Sequence, residues 1–130
     1  MKNDGGPAFP VTVHVTRSFG PEYDDIVTGL YGKRISVVFA AGNDRTASRT
    51  YDTIGPPSTA KNIICVGAIN SDDNSMTTFS SWGPMDDGRI KPDVVAPGDE
   101  VGGDGGIKST LPVDTYGVYV GTSMAAPCVS

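Results

Sequence analysis

Hydrophobic and polar residues alternate strictly over residues 11–16, where valine recurs at every second position. This period of two predicts a β-strand with one buried face. The apolar residues at 26–31 recur instead at helical spacing and precede Gly32, which predicts a short amphipathic helix. A nearly continuous apolar run then fills residues 35–41, as is typical of a strand covered on both faces of a parallel sheet. Together these segments predict a βαβ unit.

Later segments extend this pattern. Residues 63–68 and 93–96 are short apolar runs that predict buried strands, and residues 116–120 are the last strand candidate before a helix that begins near Ser123. The glycine-rich stretch at 102–106 predicts a flexible loop. The order of elements predicts an α/β fold, with a mostly parallel sheet and flanking helices.

Composition and charge narrow the classes of function. The chain has 130 residues, 38% hydrophobic and 19% charged, so one globular unit is expected. The formal net charge is −5 and the ten Lys and Arg residues are scattered, which argues against nucleic acid as a partner. No apolar run approaches the roughly 18 residues of a membrane span, and the start lacks the apolar core of a signal peptide. Cys65 and Cys128 lack metal-ligand spacing and are predicted to be buried thiols.

The sheet edge at which the parallel strands end is where α/β proteins gather their ligands. Two segments are expected there, the first formed by Ser18, Phe19 and Gly20, and the second by residues 42–44. At the second, the Asn43 side chain can direct amide donors at a ligand oxygen. The alternative interpretation of residues 42–44 is an ordinary turn.

The closing segment, residues 121–127, places Ser123 in the first turn of a helix. Free backbone N–H groups and the positive end of the helix dipole favour developing negative charge at that place, which suits a nucleophilic Ser. The alternative is that Thr122 or Ser123 merely caps the helix. This segment alone favours neither interpretation.

Several segments together resemble the subtilisin-like serine peptidases, or subtilases. Residues 121–127 (GTSMAAP) resemble the nucleophile motif of that family, and residues 37–43 (VVFAAGN) resemble its oxyanion-hole strand. Residues 59–68 and 79–98 are similar to the framework between these motifs. The resemblance spans residues 11–130 and implies a subtilisin-like fold.

The resemblance also implies roles for individual residues. Ser123 is expected to be the catalytic nucleophile, and Asn43 the side-chain donor to the oxyanion. The segment formed by Ser18, Phe19 and Gly20 is expected to pair with the substrate backbone. One wall of a substrate pocket is expected from three small residues, Ala40, Ala41 and Gly42. No cofactor is implied, although subtilases often bind calcium, and Asp72 and Asp73 offer carboxylates for such a site or form a solvated acidic turn.

The Asp and His motifs of the subtilase catalytic triad do not occur in this sequence. The single histidine, His14, lies within the alternating strand and is interpreted as an ordinary strand residue. The hypothesis is therefore that residues 1–130 are the C-terminal part of a subtilase catalytic domain. Its expected partners are a peptide or protein substrate and the missing N-terminal part of the domain.

Two other hypotheses remain at this level: a catalytically dead module that binds peptides, and a truncated fragment without a function of its own. The family resemblance implies an extracellular location, for which this chain itself carries no targeting signal.

Overall fold

The computed structural model describes residues 36–130. The strand and the helix predicted over residues 11–31 lie outside the described residues. In chain order, residues 36–130 contain five strands, one short α-helix and a 3-10 turn: β1 (Val38–Ala40), β2 (Ile64–Asn70), β3 (Val94–Asp99), β4 (Ile107–Leu111), β5 (Thr115–Tyr119), α1 (Thr122–Ala125) and the turn Ala126–Cys128.

The first three strands form a parallel sheet in the order β1-β2-β3. Val38 pairs with Ile64 at one side of β2, and Val66 pairs with Val94 at the other. The predicted α/β class with a parallel sheet is therefore confirmed. β2 is the central strand and is buried on both faces, as its continuous apolar sequence indicates.

The last predicted strand is present, but it lies in a separate sheet. The strand predicted over residues 116–120 corresponds to β5, which pairs antiparallel with β4 in a hairpin. The sequence gives no prediction of β4, because it is largely exposed and has no apolar period. The glycine-rich loop before β4 is held by carboxylates, since Asp72 accepts from the Gly102 N–H at 3.2 Å and Glu100 from the Asp104 N–H at 3.0 Å.

Two groups of buried side chains cover the two faces of the parallel sheet. Successive residues of a strand point to opposite faces, so Cys65 and Val66 belong to different groups. The face of Cys65 packs against the segment that connects β1 to β2. The face of Val66 packs against α1 through Ala125, which is completely buried. The helix that carries Ser123 is thus seated directly on the sheet.

Small residues allow α1 to approach the sheet closely. A Cβ added to Gly98 would lie 2.6 Å from the Ala68 Cβ and 2.7 Å from the Gly121 carbonyl oxygen, so only glycine fits at this position. The Gly121 N–H donates to the Gly98 carbonyl at 2.8 Å, which ties the residue before α1 to the end of β3. The position of the helix start is therefore set by backbone contact with the sheet.

The two cysteines lie in opposite environments. Cys65 is fully buried in β2, and burial raises the pKa of its thiol to about 12. Cys128 is exposed, so the prediction of two buried thiols is wrong for this residue. Cys128 ends the 3-10 turn that follows α1, and its thiol donates to the Met124 carbonyl at 3.5 Å.

Candidate active site

The turn that follows β1 is built around a glycine. Gly42 has φ of 106°, in the left-handed region that favours glycine, and its carbonyl accepts from the Ser81 N–H at 2.8 Å. The Ser81 hydroxyl, which is completely buried, accepts from the Asp44 N–H at 3.0 Å. These bonds fix the backbone on both sides of Asn43. Residues 42–44 therefore form a turn, and its fixed backbone holds the Asn43 side chain at a defined place.

Ser123 lies in the first turn of α1 and is exposed. The residue that precedes the helix, Gly121, has φ of 147°, and no side chain caps the helix N-terminus. The alternative that Thr122 or Ser123 acts as the helix cap is therefore wrong. Within residues 36–130, the Ser123 hydroxyl has no hydrogen-bond partner, so it is available to a ligand.

Thr122 joins the helix start to the turn after β1. Its backbone N–H donates to Asn43 Oδ1 at 3.0 Å, and its hydroxyl donates to the same oxygen at 2.9 Å. The hydroxyl oxygen also accepts from the Gly42 N–H at 3.2 Å. Residues about 80 positions apart in sequence are thus brought together, and the neighbour of Ser123 holds the Asn43 side chain.

The amide group of Asn43 is oriented by these bonds. Oδ1 accepts twice from Thr122, whereas Nδ2 has no acceptor in the part of the chain that the structure describes. Because Asn43 is exposed, an oxygen atom of a ligand can reach Nδ2. An exposed hydroxyl at a helix start next to a free amide donor is the arrangement with which serine hydrolases attack a carbonyl and stabilise the resulting oxyanion.

Thr122 is the residue of this site that sequence reasoning missed. It was considered only as a possible cap, because a Ser or Thr before a helix commonly has that role. The sequence signal was its position next to Ser123, but its partner Asn43 is recognisable only in the fold.

The remaining predicted site residues differ in their surroundings. Ala40 is half-buried, and its carbonyl accepts from the Ser58 hydroxyl at 2.5 Å. Ala41 is 1% exposed and packs in the core with Cys65, so almost none of its surface is accessible. Three predicted substrate-binding residues lie outside the described part of the chain: Ser18, Phe19 and Gly20.

The acidic turn after β2 uses its carboxylates as hydrogen-bond acceptors. Asp72 binds the glycine-rich loop, and Asp73 Oδ1 accepts from the Ser75 N–H at 2.8 Å. Hydrogen bonds from Ser75 lower the pKa of Asp73 below its ordinary value. Across residues 36–130 the structure shows no group of three or more His, Cys, Asp or Glu residues that could hold a metal ion. None of the helices in this same range is long and apolar enough to cross a membrane.

Comparison with known proteins identifies the family of this chain. The family profile of the Subtilase family (Peptidase_S8) matches residues 11–130. The chain therefore belongs to the subtilase family of serine peptidases.

Individual relatives agree with this assignment. Subtilisin E of Bacillus subtilis (strain 168) is 44% identical over 105 residues, which are 81% of this chain and 24% of the relative. An intracellular serine protease of Paenibacillus polymyxa is 34% identical over 110 residues, which are 85% of this chain and 30% of the relative. This chain thus spans about a quarter to a third of the length of these relatives.

A solved structure supports the fold independently. The structure of the CspB protease of Clostridium perfringens matches with a TM-score of 0.53 and 40% identity, covering 61% of this chain and 16% of that protein. The predicted subtilisin-like fold is confirmed by this similarity, and it is partial with respect to the whole protease.

Proposed function

We propose that this chain carries the nucleophile and the oxyanion hole of a subtilisin-like serine endopeptidase. The observation that carries the proposal is the pair of hydrogen bonds from Thr122 to Asn43, which places a free amide donor beside the residue that precedes Ser123. Family membership supports the same chemistry.

In the proposed reaction the Ser123 hydroxyl attacks the carbonyl carbon of a peptide bond. A histidine takes the hydroxyl proton and later gives it to the leaving amine, while an aspartate holds that histidine in the required tautomer. Asn43 Nδ2 and the Ser123 backbone N–H donate to the oxyanion of the tetrahedral intermediate. The subtilase motifs that supply this histidine and aspartate are absent from residues 1–130, so the proposal requires another polypeptide segment to provide them.

The proposed substrate is an extended peptide. Its backbone would pair with the segment formed by Ser18, Phe19 and Gly20, as in other cases of strand addition. The side chain before the scissile bond would lie against residues 40–42, whose small side chains leave room for a large apolar group. A peptide library should therefore select large apolar residues at this position, and a profile dominated by Arg or Lys would contradict the assignment of the wall.

The proposed mechanism requires no cofactor. Asp72 and Asp73 are the candidate carboxylates for a calcium ion, and each accepts a hydrogen bond from a backbone N–H. An extracellular location is proposed from the family resemblance. The relatives do not decide it, because one of them is named an intracellular protease.

One experiment tests the proposed function directly. The 130-residue chain is expressed, its folding is checked by circular dichroism, and a fluorophosphonate probe and a peptide substrate are added. We expect no turnover by the chain alone, because a Ser hydroxyl is a weak nucleophile without an adjacent base. Addition of a segment that supplies the His and Asp motifs should produce hydrolysis, and Ser123→Ala should abolish it. Turnover by the chain alone would show that His14, its only imidazole, is the base.

A catalytically dead peptide-binding module is the second candidate, since residues 1–130 do not themselves contain the Asp and His motifs that would decide between the two. The coding sequence before codon 1 distinguishes the two. Intact Asp and His motifs there favour the peptidase, and a continuous upstream frame that lacks them favours the binding module.

A further inference from the structure

Ser81 is a buried residue to which the proposed reaction gives no role. It is 0% exposed, so it cannot contact a substrate. It nevertheless binds the turn that carries Asn43 at two points. The Ser81 N–H donates to the Gly42 carbonyl at 2.8 Å, and the Ser81 hydroxyl accepts from the Asp44 N–H at 3.0 Å. Any influence of Ser81 on the reaction therefore has to pass through this turn.

We propose that Ser81 is a positioning residue that fixes the backbone of Asn43, and thereby the place of its amide group, for stabilisation of the oxyanion. This inference rests on the proposed function, in which Asn43 Nδ2 donates to the oxyanion. It assigns the geometry of that donor to a residue from a different segment of the chain, the connection between β2 and β3.

The argument depends on which backbone groups Ser81 binds. The Gly42 carbonyl belongs to the peptide group before Asn43, and the Asp44 N–H belongs to the peptide group after it. Each peptide group is planar, so the only rotations between these two groups are φ and ψ of Asn43. Because Ser81 holds both planes, it holds both angles, and these angles set the direction of the Asn43 Cα–Cβ bond.

The turn needs this support from outside. Gly42 has φ of 106°, and glycine leaves its backbone free to adopt many conformations because it has no Cβ. A Cβ added to Gly42 would lie 3.1 Å from the Ser81 Oγ, so the hydroxyl is in close contact with the turn. The nearby Phe79 carbonyl accepts from the Arg45 N–H. The acceptor for the Asp44 N–H is thus the Ser81 side chain and not the backbone of this segment.

Kinetics of the domain assembled with its His and Asp motifs test the consequence for the reaction. Ser81→Ala removes the acceptor of the Asp44 N–H and should lower kcat about tenfold, the effect of one lost hydrogen bond. KM should change less than about twofold, because Ser81 does not touch the substrate. In an Asn43→Ala background, Ser81→Ala should have little further effect on kcat, since its influence passes through Asn43.

Ser80→Ala is the matched control. Ser80 is also 0% exposed, and its hydroxyl also accepts from one backbone N–H at 3.0 Å, that of Ala68 in β2. This variant removes a comparable bond outside the turn, so kcat should stay within about twofold of the wild-type value. A loss of kcat common to both variants would come from a general loosening of the fold.

Nuclear magnetic resonance of the labelled 130-residue chain tests the geometry without any need for turnover. Ser81→Ala should accelerate hydrogen exchange of the Asp44 N–H about tenfold and change the three-bond coupling that reports φ of Asn43. Ser80→Ala should leave both unchanged. If Ser81→Ala does not fold, Ser81→Cys should show the same changes at reduced size, because its side chain has a similar shape but is a weaker acceptor.

Four outcomes would overturn the proposal: an unchanged Asn43 coupling in the folded variant chain, an unchanged kcat or a loss confined to KM in Ser81→Ala, an equal loss of kcat in Ser80→Ala, or an undiminished loss of kcat when Ser81→Ala is added to Asn43→Ala. Failure of the proposed function is recognised separately. Hydrolysis by the assembled wild type would then be absent or would survive Ser123→Ala.

Discussion

The end of the parallel sheet and the β4–β5 hairpin are both made of short segments, but they are stabilised in different ways. At the sheet end, residues about 80 positions apart are joined by side-chain hydrogen bonds, and Ala68 and Ala125 are completely buried. In the hairpin, the strands pair from Ile107 with Tyr119 to Leu111 with Thr115, and Tyr116 is 67% exposed. The first region depends on tertiary packing, whereas the second depends on local backbone pairing.

This difference indicates where the molecule can tolerate change. A close-packed interior responds to a single added or removed atom group, because neighbouring groups cannot move away. An exposed hairpin exchanges contacts with water, so most of its substitutions have small effects. Large effects on chemistry and stability are therefore expected at the sheet end, and small ones in the hairpin.

The largest effect is expected for Ser123→Ala in the domain assembled with its His and Asp motifs. Loss of the nucleophile should lower kcat by about 10⁶, the magnitude known for subtilisin itself and not a value derived from this structure. Steady-state hydrolysis of a peptide substrate measures it. If the variant kept more than a small fraction of the wild-type rate, Ser123 would not be the nucleophile. The reaction proposed at the end of the parallel sheet would then be wrong.

Asn43→Leu in the same assembled domain should lower kcat by about 100- to 1000-fold, again the magnitude known for subtilisin. KM should barely change, because the donor acts on the charge that develops in the transition state. The separate measurement of kcat and KM checks this expectation. A loss confined to KM would show that Asn43 binds substrate without stabilising the oxyanion.

The two cysteines should differ by more than about 100-fold in their rate of alkylation at pH 8, because only the thiolate reacts. Burial raises the pKa of Cys65 to about 12, and Cys128 is exposed. The same shift implies that the contribution of Cys65 to stability is fully present below about pH 9 and is lost as the pH rises towards 12. Mass spectrometry of the iodoacetamide-treated folded chain measures the two rates. Equal labelling of Cys65 and Cys128 would mean that the parallel sheet opens readily and exposes Cys65 to the reagent.

Gly98→Ala should lower the free energy of unfolding by about 2 kcal/mol, because the new Cβ collides with the Gly121 carbonyl and Ala68. Gly55→Ala is the control, since nothing lies within 4 Å of a Cβ at that position. Urea denaturation followed by circular dichroism compares both variants with the wild type. If the two variants were equally stable, α1 would not be held against the sheet as closely as described.

The smallest effect is expected in the hairpin, and it is a gain. Val113 is 91% exposed and has φ of 66°, a left-handed conformation that a β-branched residue adopts at a cost. Val113→Gly should raise the free energy of unfolding by about 0.5 kcal/mol, since relief of strain slightly exceeds the added entropy of the unfolded chain. The urea midpoint provides the measurement. Marked destabilisation would show that the exposed Val113 side chain contributes to the fold.

The sequence by itself determined the strands that are marked by short apolar runs. The apolar runs at 35–41, 63–68 and 93–96 correspond to β1, β2 and β3. Only β2 is buried on both faces, as the continuous apolar sequence predicts, whereas Val94 and Val95 of β3 are exposed, so the prediction of a buried strand is wrong for these two residues. The same reasoning could not find β4, since a strand without a buried face has no hydrophobic period. The motif at residues 121–127 correctly indicated a short helix, and the family resemblance supplied the proposed roles of Ser123 and Asn43.

Only the tertiary structure decided which groups meet. No pattern along the chain indicates that Thr122 donates twice to Asn43, because this contact exists only after α1 has packed on the sheet. The exposure of Cys128 is likewise a property of the folded chain, and it differs from the usual burial of cysteine. Hydrophobic periodicity reports burial within one element, whereas a hydrogen bond between distant side chains depends on the relative placement of two elements, which their packing alone determines.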